Sequence, residues 1–167
     1  MKLDVACGQR KQEGFTGIDL MEGSDIVHDL NIYPWPVEAE SVEEINCSHY
    51  IEHTNDLIQF MEEIYRILKP EGKATIVAPY YSSIRAWQDP THKHAISEWS
   101  FLYYNKKWRE DNKIDHYGIK CDFDFSYGFV YNAPWNMKSE EARAFAQIHY
   151  INVIADVQVL LTKRVIT

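Results

Sequence analysis

The chain has 167 residues, with 17 lysines and arginines against 25 aspartates and glutamates, giving a formal net charge of −8. The length suits one compact unit, and an apolar content of 46% excludes a disordered tail. The acidic balance argues against nucleic-acid partners and anionic membranes, which need a basic face. No apolar run reaches the ~18 residues of a membrane span.

The first half reads as short apolar strands separated by polar turns. Leu3-Asp4-Val5-Ala6 is a buried strand running into Cys7-Gly8, and Thr16-Gly17-Ile18-Asp19 is a second. Asp25–His28 is a third, ahead of Asp29-Leu30, and Glu44–Cys47 a fourth. A helix is expected over Asn55–Lys69, because Leu57, Met61, Ile64 and Leu68 fall on one stripe at helical period. Thr54 or Asn55 is the expected N-cap, Pro70 the stop, and Lys73–Ala78 a fifth strand. Alternation of strands with crossovers indicates a parallel α/β sheet.

From Tyr80 to about Lys113 the pattern breaks. Trp87, Trp99, Trp108, paired tyrosines, His92 and His94 lie in a stretch without sheet alternation. Excursions longer than ~12–15 residues are usually lids or binding loops. Ser97–Asn105 fits a short helix capped by Ser97, Ile119–Tyr131 a strand, Ser139–Gln147 a helix and Val153–Leu161 a final strand. Cys7, Cys47 and Cys121 are an odd set without a CxxC pair. That fits thiols in a reducing cytoplasm, as does a start without a signal-peptide core.

The chemistry-bearing residues cluster at strand ends. A strand entering the small-residue turn Ala6-Cys7-Gly8 lets backbone approach a ligand. An acidic residue ending the next strand, Asp19, can accept from both hydroxyls of a ribose. Together with Asp4, these residues resemble the first motif of the class I S-adenosylmethionine-dependent methyltransferases, of the small bacterial and phage type, with Ala6 in place of the commonest first glycine. His28-Asp29-Leu30-Asn31 is similar to that family's adenine-reading position. Ser41–His53, with Ser48-His49-Tyr50-Ile51-Glu52-His53 at its end, resembles its fourth-strand pattern, and Arg66-Ile67-Leu68-Lys69-Pro70-Glu71-Gly72 the turn before its fifth strand. The set covers roughly residues 2–80 in the family's order.

The resemblance implies a Rossmann-like, mostly parallel sheet of about seven strands with a C-terminal antiparallel strand. The family's N-terminal helices are not expected, and about nine residues between Ala6 and Thr16 are too few for a helical first crossover. One domain is expected over 1–167: a cofactor-binding half to about residue 80, a lid and acceptor region to about 117, and C-terminal strands and helix beyond. The implied cofactor is S-adenosylmethionine, released as S-adenosylhomocysteine. Its expected contacts are Asp4, Ala6, Cys7, Gly8, Asp19, Leu20, Asp29, Leu30, Ser48, His49 and His53.

Methyl transfer is an in-line displacement governed by proximity and orientation, and a hydroxyl or nitrogen acceptor can need a base. His92 and His94, in Asp89-Pro90-Thr91-His92-Lys93-His94, are the candidate bases, with Tyr80 and Tyr81 as pocket walls. His49-Tyr50-Ile51-Glu52-His53 satisfies the H-x-x-E-H spacing of a class of zinc proteases. That spacing works on a helix, whereas this run follows a strand, so no metal is assigned. The expected partner is a small-molecule acceptor, first of all a sugar hydroxyl. The aromatic excess serves as a lid or as a homo-oligomer interface. The competing reading is a cofactor-binding protein without catalysis.

Overall fold

The computed structural model describes residues 1–165. In chain order the strands are β1 (Lys2–Val5), β2 (Thr16–Asp19), β3 (Ile26–Val27), β4 (Val42–Ser48), β5 (Leu68–Pro79), β6 (Phe123–Tyr131) and β7 (Ile154–Lys163). Helix α1 (Leu57–Ile67) joins β4 to β5, short α2 (Arg85–Gln88) and α3 (Lys106–Asp111) lie between β5 and β6, and α4 (Glu140–His149) lies between β6 and β7. One sheet results, ordered β3-β2-β1-β4-β5-β7-β6. The pairings from β3 to β5 are parallel, and β7 is antiparallel to both β5 and β6. No helix among the described residues is long and apolar enough to cross a membrane.

The helix between β4 and β5 follows its stripe but starts at Leu57, two residues after the expected Asn55. Its cap is Asp56, whose carboxylate accepts from the Ile58 and Gln59 N–H groups at 2.8 and 3.0 Å. Asp56 satisfies two of the otherwise orphaned first-turn donors. At the other end β5 begins at Leu68, two residues before Pro70, and pairs with Val42. Lys69–Gly72 form an irregularity before pairing resumes at Glu44 and Lys73, with Glu71 at φ 63°. Phe60, Met61, Ile64 and Ile67 of α1 are fully buried, each burial worth roughly 1.5–3 kcal/mol.

The other early crossovers are irregular. Residues 6–15 and 20–25 carry no helix, as the short spacing requires. The crossover from β3 to β4 is also non-helical and covers the core with Leu30, Trp35 and Val37. Buried Glu63 ties it to α1, accepting from the Trp35 N–H at 2.6 Å and from Arg66, which also donates to the Val37 carbonyl.

A consequence appears in the strands. Ile45, Cys47, Ala74, Ile76, Val159 and Leu161 are buried on one face of the sheet. On the other, Asn46, Ser48, Thr75, Gln158 and Thr162 are half-buried or exposed. Parallel strands covered on both faces are usually apolar throughout. Here, with no helices over the early crossovers, the strands alternate apolar and polar residues.

Candidate functional site

The strand order reverses direction between β1 and β4, so the crevice at their carboxyl ends is where an open α/β sheet takes a ligand. Ala6 and Gly8, just past β1, both have positive φ, 55° and 50°. A side chain at Gly8 would meet nothing within 4 Å, so the turn leaves open space. Asp19, at the end of β2, spans this turn and its own: Oδ2 accepts from the Gly8 N–H and Oδ1 from the Met21 N–H, both at 2.9 Å. Its remaining lone pairs can take ribose hydroxyls. Asp4 is buried, and its oxygens accept from the Gln12 N–H at 2.7 Å and the Asn46 amide at 2.6 Å. It fixes the crossover rather than presenting a free carboxylate.

The crossover lies directly on β2. A Cβ at Gly17 would fall 2.6 Å from Cys7 Sγ and 2.9 Å from a Lys11 side-chain carbon. Burial raises the Cys7 thiol above its ordinary value, and Asp19 and Asp4 add to that. Cys7, Gly8, Met21 and Ser24 line a cavity of about 230 Å³ on this side. Asp29 accepts from the Asn31 N–H at 2.9 Å, and Asn31 accepts from the Asn55 N–H at 2.8 Å. Leu30 is buried, its carbonyl taken by the Trp35 indole at 3.0 Å, whereas Leu20, Val27 and Ile32 stand exposed near the ends of β2 and β3. Ser48 is exposed at the end of β4, and His49 follows with φ 57°.

A second constellation lies beyond β4 and β5. His49, Glu52, His53, Arg85, Asp89 and His92 border a cavity of about 220 Å³. Glu52 is 1% exposed, yet neither carboxylate oxygen has a hydrogen-bond partner. The ring centroids of His53 and His92 are 4.6 Å apart. His53 therefore sits with His92 rather than with the Ala6–Gly8 turn. Of the two candidate bases only His92 faces this cavity. The His94 Nε2 meets the Thr54 carbonyl at 2.8 Å and anchors the loop.

Tyr80 and Tyr81 border a separate cavity of about 670 Å³, with Glu98, Trp99 and Gln147. Tyr80 is buried against Phe129, and burial together with Glu98 raises its hydroxyl's pKa. Glu52, Asp89, Thr91 and Arg85 carry no role in the sequence reading. Their signal was present in the H-x-x-E-H and Asp-Pro-Thr-His runs, whose convergence no local pattern shows.

Comparisons with known proteins bear on the fold and on the first part of the chain. A methyltransferase-domain family model matches residues 3–76, which hold β1 to most of β5. An S-adenosylmethionine-dependent methyltransferase from Archaeoglobus fulgidus superposes with a TM-score of 0.63 at 18% identity, over 97% of this chain and 85% of that one. A possible histamine N-methyltransferase from Thermotoga maritima gives 0.59 at 13%, over 98% and 82%. The plantazolicin methyltransferase in complex with S-adenosylhomocysteine gives 0.56 at 16%, over 98% and 76%. No curated protein sequence matches the chain. Motif order, strand order and family model coincide over the first part of the chain: residues 3–76 match a methyltransferase domain, and the whole chain shares the fold of S-adenosylmethionine-dependent methyltransferases. The matched domain and the shared fold support an S-adenosylmethionine-dependent methyltransferase, with S-adenosylmethionine as the cofactor.

Proposed function

We propose that the chain methylates a small-molecule acceptor, with a sugar or related hydroxyl as the first candidate. The observation that carries this reading is the pairing of two unlike sites at neighbouring strand ends. The Ala6–Gly8 turn and Asp19 fit a nucleoside, and the cavity of Glu52, His53 and His92 meets an acceptor with lone pairs.

The cofactor supplies a methyl group on a sulfonium. The open turn at Gly8 gives the backbone close access to it, and Asp19 takes the ribose hydroxyls. Asp29 is assigned to the adenine edge, with exposed Leu20, Val27 and Ile32 offering apolar contact to the ring. Asp4 and Cys7 act through the crossover that they hold in place. Ser48 and His49 border the methionine half. The protein's main contribution is then alignment of acceptor and methyl group, with water kept out. Tyr80, Tyr81 and Trp99 wall a larger cavity able to hold the body of the acceptor. The charge of −8 favours a neutral acceptor over a polyanion.

The test is release of S-adenosylhomocysteine across a panel of sugars, phenols, amines and peptides. Turnover confined to hydroxyl compounds supports the assignment. Turnover with amines or peptides alone replaces it.

A further inference from the structure

We infer that Glu52, His53 and His92 form a binding site for a divalent transition-metal cation, at the acceptor side of the cleft. Ligand atoms of the three residues lie within 4.8 Å of one another. Two imidazoles and one carboxylate, with positions left for other ligands, are a donor set used by zinc and by other first-row divalent ions. Nitrogen donors disfavour magnesium, which prefers oxygen.

Hydrogen bonding fixes which ring atoms are free. Thr91 Oγ1 donates its only proton to Asp89 Oδ1 at 2.7 Å, so at the His53 Nδ1 contact of 3.0 Å it accepts. His53 is thus protonated on Nδ1 and keeps a lone pair on Nε2. The His92 Nδ1 lies 3.1 Å from the Ala86 carbonyl, which can only accept, so His92 also keeps its lone pair on Nε2. Metal-binding histidines typically donate their other ring N–H in this manner, which orients the ring and fixes the tautomer. Asp89 in turn accepts from the Thr91 N–H at 2.8 Å and from the Thr91 hydroxyl at 2.7 Å, which holds this outer partner in place.

The third ligand is the strongest argument. A carboxylate that is 1% exposed with neither oxygen hydrogen-bonded among the described residues is expensive to bury. A bound cation supplies the missing partner. Of the other groups at the cavity, Arg85 is paired with Asp156 at 2.7 Å, Asp89 Oδ2 stands 3.8 Å from His92 Nε2, and His49 Nδ1 stands 3.4 Å from Glu52 Oε1 without forming a hydrogen bond to it. Tetrahedral zinc with bonds of ~2.1 Å spaces its ligand atoms about 3.4 Å apart, so from within 4.8 Å of one another the three groups must draw in on binding. A lone general base would require His92 but would leave unexplained why Glu52 and His53 converge on it.

The catalytic role rests on the methyltransferase reading; the site itself does not. The cation would hold the acceptor hydroxyl oxygen and lower its pKa, so that the proton passes to water. The methyl C–S bond then breaks as the C–O bond forms, leaving a neutral thioether and a methyl ether.

The experiment uses the tag-free, chelator-treated chain. Zinc chloride is titrated calorimetrically, cobalt is followed by its visible spectrum, and S-adenosylhomocysteine is titrated in parallel. The expected result is one zinc per chain, a cobalt spectrum of low coordination number, and at least about a tenfold loss of zinc affinity in both E52Q and H92A. Thr91→Val, which removes only the outer partner, should weaken zinc by about tenfold and covers the case in which E52Q fails to fold. S-adenosylhomocysteine binding should survive in all three variants. Absence of zinc and cobalt binding in a chain that binds S-adenosylhomocysteine overturns the metal site alone. Zinc binding unaffected by E52Q, H92A and Thr91→Val places the ion elsewhere and also overturns it. Zinc binding with no S-adenosylhomocysteine binding leaves the metal site standing and removes the catalytic role.

Discussion

The two sides of the cleft are built on opposite principles. At the ends of β1 and β2 the polar groups are already engaged with the chain itself: Asp19 bridges two backbone turns, and Asp4 clamps the crossover. Specificity there comes from backbone shape and lone pairs left over. Beyond β4 and β5 the inward-facing groups lack hydrogen bonds: neither Glu52 oxygen has one among the described residues, and the His53 and His92 rings are held from behind through Nδ1. In the proposed reading one side is preformed for the nucleoside of the cofactor, and the other leaves a buried carboxylate without hydrogen bonds for a ligand to complete.

Substitutions should separate the two sides, and the largest effect is expected at Asp19. Asp19→Ala removes the ribose acceptor and releases the turn at Gly8. Loss of two charge-assisted hydrogen bonds at ~1.5–3 kcal/mol each predicts at least about a hundredfold weaker S-adenosylhomocysteine binding by calorimetry, with zinc binding unchanged. An intact affinity would remove Asp19 from the site. His92→Ala should do the converse, cutting turnover at least about tenfold at near-normal cofactor affinity. His94→Ala should leave turnover largely intact and cost about 1 kcal/mol of stability, the worth of its hydrogen bond to the Thr54 carbonyl. Equal turnover losses in both variants would erase the distinction between facing ring and anchoring ring.

Smaller effects test the crossover. Gly17→Ala places a methyl 2.6 Å from Cys7 Sγ, an overpacking of ~1–3 kcal/mol. It should lower the denaturation midpoint and weaken the cofactor, while the zinc site is spared. The smallest effect concerns Asp25. The Gly17 N–H at 2.7 Å and Lys11 hold its carboxyl below the ordinary value. A lowered folded-state pKa stabilises above the unfolded value of about 3.9 and is lost as pH falls through the folded value. The stability gap between wild type and Asp25→Ala should therefore be present at neutral pH and close in acid. A gap that widens in acid contradicts the assignment.

The same contrast explains what could be read from the sequence. The preformed side is local: a strand, a turn and an acidic strand end lie within Asp4–Asp19, and α1 follows its apolar stripe. The missing first-crossover helix followed from counting residues. The N-cap was misplaced because Thr54, Asn55 and Asp56 are all competent caps, and geometry alone decides that Asp56 serves. The start of β5 was misplaced because Pro70 suggests a break, whereas the chain pairs through Leu68 before its irregularity. The unengaged side is assembled across long sequence separations. The H-x-x-E-H run does not use His residues four apart on a helix, since residues 50–53 form a turn and Glu52 and His53 instead meet His92 from the loop after β5. Period and spacing carry no information about that meeting.

The central claim is that the crevice between β1 and β4 binds the nucleoside cofactor, and titration of the wild-type chain with S-adenosylhomocysteine tests it most directly. The account predicts one molecule bound per chain with micromolar affinity. No binding of S-adenosylhomocysteine or S-adenosylmethionine at millimolar concentration would contradict it.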